Sequence, residues 1–128
     1  MKLLLDTHAF LWWLAGDLRL SKPARDAIDD SANDVHVSAA SAWEITTKHR
    51  VGKLDHASAI AHDVGKAIAS QAFQELPVTV RHAQLAGALP GEHRDPFDRM
   101  LVAQAILENM ALVSNETRFD ALAVKRLW

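Results

Sequence analysis

Two rhythms of apolar and polar positions run through the chain. Short apolar clusters at Leu3-Leu4-Leu5, Val35-His36-Val37 and Ala111-Leu112-Val113 are separated by stretches with helical spacing. Clusters of this length suit strands of a parallel sheet covered on both faces. The pattern predicts a first strand over residues 2–6, then a helix capped by Thr7, carrying Phe10, Leu11, Trp13 and Leu14 and stopped by Gly16. A second helix starts at Ser21 with Pro23 in its first turn, and residues 35–37 form the second strand. Ser41 opens a helix to about Arg50, closed by Gly52. Ile60, Ala61, Val64, Ala67 and Ile68 recur at helical spacing and predict a long amphipathic helix over 57–72. A short strand at 74–76 precedes Pro77, and a helix covers 79–88. Asp95-Pro96 opens a strong helix through 109, and strands close the chain at 111–114 and 123–127. Residues 88–94 are the loop with most freedom to move. Strands alternating with helices predict the α/β class, with a parallel sheet of four to five strands.

Composition adds limits rather than identity. The length of 128 residues suits one domain spanning residues 1–128. The 49% hydrophobic and 23% charged content is ordinary for a water-soluble fold. Cysteine is absent, which removes disulfides and zinc–thiolate sites and agrees with a reducing cytoplasm. Met1-Lys2-Leu3-Leu4-Leu5 begins like a signal peptide, but Asp6 and His8 end it well short of the ~7–15 apolar residues required. No stretch reaches the ~18 apolar residues of a membrane span. The seven histidines form no zinc-binding pair or H-E-x-x-H motif. The net charge of −2 argues against broad electrostatic attraction to nucleic acid. Any positive surface must be local. Lys48-His49-Arg50-Val51-Gly52-Lys53 is one such cluster, and Arg94 and Arg99 make another.

The acidic residues change the picture most. Asp6 follows the first strand, and Glu44 lies shortly after the second. Asp95 and Asp98 open the long helix, and Glu116 follows the strand ending near Ser114. A parallel sheet gathers the carboxyl ends of its strands along one edge, where such folds place their sites. Carboxylates collected there repel one another and lose hydration, and a divalent cation relieves both costs. Hard oxygen donors suit Mg²⁺ or Mn²⁺, whose usual chemistry is phosphoryl transfer or phosphodiester hydrolysis. Each acid also has a local explanation. Asp6 could cap the following helix, though Thr7 could do so without a charge. Ser41-Ala42-Trp43-Glu44 fits a capping box. Asp95 could be a cap, a ligand or both, and Glu116 a solvated residue after a cap at Ser114 or Asn115.

Taken in order, these pieces resemble the PIN-domain family, and within it the VapC-like toxins of bacterial toxin–antitoxin pairs. The resemblance runs from Leu4-Leu5-Asp6-Thr7-His8 and Leu11-Trp12-Trp13-Leu14 through Ser41-Ala42-Trp43-Glu44-Ile45 and Lys48 to Leu54. It continues in Asp95-Pro96-Phe97-Asp98-Arg99 to Ala105 and in Leu112-Val113-Ser114. It implies a small α/β/α sandwich and a Mg²⁺- or Mn²⁺-dependent ribonuclease. The family's acidic quartet falls on Asp6, Glu44, Asp98 and Glu116, with Asp95 beside it and Thr7 and Ser114 supporting it. The fourth acid is commonly aspartate, so Glu116 departs from the pattern, and Asp95 or Asp120 could take its place. Lys48, Arg50, Arg94 and Arg99 would hold the RNA backbone. The resemblance also implies a cognate antitoxin and a homodimer; the cytoplasmic location expected here rests on the missing cysteines, signal peptide and membrane span.

Two other readings compete. A haloacid-dehalogenase-like, Mg²⁺-dependent phosphatase also places an aspartate after its first strand, but wants a second two residues on, where this chain has His8. A PIN-like module that has lost catalysis and only binds RNA or a partner draws its support from Glu116. Uptake of Mn²⁺ separates an intact site from a degenerate one.

Overall fold

A computed structural model describes residues 1–53, 59–91 and 94–128. Five parallel strands form one sheet: β1 (Lys2–Leu5), β2 (Asp34–Ser38), β3 (Gln74–Leu76), β4 (Ala111–Val113) and β5 (Lys125–Leu127). Their order across the sheet is β3-β2-β1-β4-β5. Six α-helices appear among the described residues: α1 (Thr7–Ala15), α2 (Lys22–Asp29), α3 (Ala39–Arg50), α4 (Val64–Ser70), α5 (Val80–Ala88) and α6 (Pro96–Leu107). None of them is long and apolar enough to cross a membrane.

The three leucines of β1 explain the layering. Successive strand residues face opposite sides. Leu3 and Leu5 therefore enter one core with Phe10 of α1, Ile28 of α2, Ile45 of α3 and Ile68 of α4. Leu4 enters the other with Leu101, Val102 and Ala105 of α6. All three are fully buried, each stabilising the fold by roughly 1.5–3 kcal/mol. The result is the expected α/β/α sandwich, with its sheet at the upper end of the expected strand count.

β1 lies at the centre, paired in register with β2 through Leu5↔Val37 and with β4 through Leu5↔Val113. The chain builds outward on one side through β2 and β3, then crosses to β4 and β5. The direction reverses between β1 and β4, which opens a crevice beyond their carboxyl ends.

Helices α3 and α4 start differently from the sequence pattern. α3 begins one turn early, because Ser38 and not Ser41 is its cap: the Ser38 hydroxyl accepts from the Ala40 N–H at 2.9 Å. The amphipathic helix expected over 57–72 reduces to α4. Residues 57 and 58 lie outside the described residues, and Asp63 interrupts the pattern. Its carboxylate accepts from the Lys66 N–H at 2.9 Å and its backbone is non-helical, as a cap residue requires. Within the expected loop at 88–94, residues 92 and 93 lie outside the described residues.

Candidate active site

Asp6 leaves β1 as the first residue past the strand. Its backbone N–H still donates to the Val113 carbonyl at 3.0 Å, which fixes it to the end of β4. Its side chain caps α1, accepting from the Ala9 N–H at 2.7 Å. The expected cap, Thr7, instead occupies the first helical position and turns its hydroxyl into the crevice. Asp6 is 7% exposed. Burial pushes its carboxyl up from 3.8 to about 6, and the charges of Glu44 and Glu116 add to the rise. Hydrogen bonds from the Ser114 hydroxyl and the Ala9 N–H work the other way. The Asp6 carboxylate thus lies within the fields of two other acids.

Glu44 is buried in the second turn of α3. The capping box expected with Ser41 does not form, because Ser41 is already inside the helix. Glu44 reaches across to α1: one oxygen accepts from the Thr7 hydroxyl, and the other pairs with Lys48. Thr7 also lies 3.1 Å from the Ser41 hydroxyl. The four side chains Thr7, Ser41, Glu44 and Lys48 tie α1 to α3 beside Asp6.

Asp95 caps α6 as expected, its Oδ1 accepting from the N–H groups of Phe97 (2.9 Å) and Asp98 (3.2 Å). Asp98 follows in the first turn, partly buried. Beyond β4, buried Ser114 accepts from the Glu116 N–H at 3.0 Å. Glu116 caps the 3-10 turn Thr117–Ala121 through the Arg118 N–H at 3.1 Å and pairs with the Arg118 guanidinium at 3.0 Å. Neither Ser114 nor Asn115 takes that cap. Asp120 is held by Arg126 in two bonds of 2.8 and 3.0 Å.

Two cations report where the acids stand relative to one another. The charge on Lys48 is opposed by burial, but the hydrogen bond with Glu44 and the charges of Glu44, Asp95 and Asp98 outweigh that and hold its pKa above the ordinary value. Arg118 is stabilised in the same sense by Glu116 first, with Asp98 and Asp95 adding to it. Acids from α3, α6 and the turn after β4 therefore share one field at the carboxyl edge of the sheet.

The sequence matches the PIN domain family over residues 3–125. The chain belongs to the PIN-domain family. It is similar to Ribonuclease VapC22 of Mycobacterium tuberculosis, with 30% identity over 116 residues, covering 90% of this chain and 87% of that protein. Among solved structures, a chain of VapBC2 from Rickettsia felis, bound to a promoter DNA fragment, superposes with a TM-score of 0.71 at 15% identity and covers all of both chains. VapC20 of Mycobacterium tuberculosis, described as a sarcin–ricin loop-cleaving toxin, superposes with a TM-score of 0.65 at 17% identity over 95% of each chain. At these identities the structural likeness establishes the fold.

For this PIN domain, the donor set fits a hard divalent cation in chemistry. It consists of carboxylates backed by the hydroxyls of Ser114 and Thr7. Asp6 gains affinity for a proton through desolvation and like-charge crowding, the same costs a metal ion would relieve. Among the described residues, no three Asp, Glu or His side chains stand ready as a chelate. Glu44 and Glu116 are turned towards Lys48 and Arg118.

The basic residues divide. Lys48 faces Glu44, and Arg99 donates to the carbonyls of Ala86 (2.9 Å) and Leu89 at the end of α5. Arg50 and Arg94 are exposed. Arg118 went unnoticed in the sequence pattern, since a contact between residues two apart in a tight turn has no helical signature. The Glu44–Lys48 pair did have one, the i,i+4 spacing of opposite charges. Trp43 is 62% exposed and packs edge-to-face on Phe97, with ring centroids 4.7 Å apart. The pair lines an apolar cleft of about 360 Å³ with Val78, Pro96 and Met100.

Proposed function

We propose that this PIN domain is a divalent-metal-dependent endoribonuclease toxin held in check by a cognate antitoxin. The observation that carries the reading is Asp6: a carboxylate at the end of the central strand, pushed up to about 6 by burial first and further by the charges of Glu44 and Glu116. A carboxylate kept at that cost in a crevice is a functional-site signature. The resemblance in sequence to a protein named as a ribonuclease supports the substrate class.

Asp6, Glu44, Asp98 and Glu116 would hold Mg²⁺ or Mn²⁺, with Asp95 the alternative to Glu116. A bound cation of this kind supplies an activated water and neutralises charge on phosphate oxygens. The chain's own part is orientation. Ser114 and the Ala9 N–H fix the Asp6 carboxylate, while Thr7 fixes Glu44. Such supports set the direction in which each acid presents its oxygens. Arg50 and Arg94, both exposed, would meet the RNA backbone without reading sequence.

The exposed cleft of Trp43, Val78 and Phe97 is the kind of apolar surface that a protein partner covers. It supports the antitoxin and a second copy of this chain as partners. Incubating purified protein with RNA, in Mn²⁺ and in chelator, tests the function. Cleavage in Mn²⁺ that disappears in chelator and in Asp6→Asn is expected. Cleavage by Asp6→Asn at the parent's rate overturns the assignment. Failure of the parent to cleave while it still binds Mn²⁺ favours the module that has lost catalysis.

A further inference from the structure

Lys48 is the most telling residue that the proposed chemistry leaves unused. Glu44 is 3% exposed, and the side chain paired with it is 29% exposed. An ionised carboxylate at that depth is costly unless paired and hydrogen-bonded. Both Glu44 oxygens are engaged, one by the Thr7 hydroxyl and the other by the Lys48 ammonium. The pair lies one helical turn apart on α3, so it forms without help from another element. The same ammonium also offsets Asp95 and Asp98, which arrive from α6. One half-buried charge thus pairs with Glu44 and lies in the field of the acids on α6.

We propose that Lys48 is the resident counter-ion of the acidic crevice in the metal-free protein, and that a divalent cation must displace it from Glu44 in order to bind. The proposal rests on the metal-dependent reading above. It follows from like charge at one carboxylate: an ammonium hydrogen-bonded to a Glu44 oxygen repels a second cation brought to the same group. The long, flexible stem of lysine suits the exchange, since the charge can swing away while the backbone of α3 stays in place. In the metal-free state Lys48 holds the Glu44 carboxylate in position. In the metal-bound state its charge is no longer needed there and opposes the incoming ion. Lysine therefore lowers metal affinity while stabilising the empty crevice.

The test uses Mn²⁺ alone, without RNA. Calorimetric titration and thermal unfolding in chelator are compared for the parent, Lys48→Met and Lys48→Arg. Lys48→Met is expected to melt at a lower temperature in chelator and to bind Mn²⁺ about tenfold more tightly, equivalent to roughly 1.4 kcal/mol. Lys48→Arg keeps the charge and should gain no affinity. Adding Glu44→Gln to Lys48→Met removes the orphaned carboxylate and should restore the melting temperature lost in chelator. Should Lys48→Met fail to fold, that double variant is expected to fold, and equal instability of the two counts against the ion pair. A parent that binds Mn²⁺ while Lys48→Met binds no more tightly overturns the displacement alone. A parent that takes up no Mn²⁺ overturns the metal-dependent reading and the displacement with it.

Discussion

Replacing Asp6 by asparagine should stabilise the metal-free protein, and the gain should depend on pH. Asp6 titrates at about 6 in the fold against 3.8 as an ordinary aspartate. The folded state therefore holds its proton more tightly than the unfolded state. Protonated Asp6 contributes its full stability below pH 4, and that contribution is lost as pH rises through about 6. The difference corresponds to roughly 3 kcal/mol at neutral pH. Asparagine keeps the carbonyl oxygen that accepts from the Ala9 N–H. Its amide replaces the acceptor that Ser114 now meets, at a cost of about 1 kcal/mol. The net gain at pH 7.5 is then about 2 kcal/mol, on the order of 5–10 °C in melting temperature. Urea unfolding of both proteins in chelator, from pH 4 to pH 7.5, measures it. The two curves should approach one another near pH 4 and separate between pH 4 and pH 6.5. Excess Mn²⁺ should reverse the ranking, since the parent alone keeps the ligand. An asparagine variant less stable than the parent at pH 7.5, or ahead by the same margin at every pH, would show that the Asp6 carboxylate is not destabilised by burial and its acidic neighbours.

Other substitutions separate capping from chemistry. Asp95→Ala removes the acceptor for two N–H groups at the start of α6 and should cost about 1 kcal/mol in unfolding experiments, with cleavage only moderately slowed. Asp98→Asn should do the opposite, losing cleavage with little change in melting temperature; an active Asp98→Asn beside an inactive, stable Asp95→Ala reverses the two roles. Glu116→Gln should weaken Mn²⁺ binding by less than Asp6→Asn does, and Glu116→Asp should keep activity. Equal calorimetric affinities for parent and glutamine variant would remove Glu116 from the site. Thr7→Val leaves Glu44 without its hydroxyl partner and should cost about 1–3 kcal/mol and slow cleavage; unchanged rates would confine Thr7 to packing.

The sequence conveyed the sheet and its acidic edge because those signals are local. Three leucines followed by Asp6 mark a buried strand ending in a charge, and Asp95-Pro96 states a helix start in two residues. Glu44 was harder to read. Ser38 and Ser41 are both competent caps, and a contact from far along the chain distinguishes them: the Ser38 hydroxyl donates to Gln104, 66 positions away, at 2.5 Å. With α3 starting at Ser38, Ser41 falls inside the helix and Glu44 is free of the capping box that its spacing suggested. The long helix over 57–72 failed for the converse reason. Its apolar spacing was real, and Ala61, Val64 and Ile68 are buried, but Asp63 caps within the pattern. Periodicity says which side chains meet the core and not where the backbone first becomes helical. The pairing of Glu116 with Arg118 depends on the tight turn after β4, a geometry that no periodic pattern announces.

The chemistry of the ends left by cleavage tests the central claim most directly. On the proposed reading, a water activated at the acidic crevice would attack phosphorus without using the RNA 2′-hydroxyl. Products formed in Mn²⁺ should therefore carry 5′-phosphate and 3′-hydroxyl ends, in equal number, and none should form with Asp6→Asn. Products with 2′,3′-cyclic phosphate ends, formed equally in chelator and by the asparagine variant, would contradict the account.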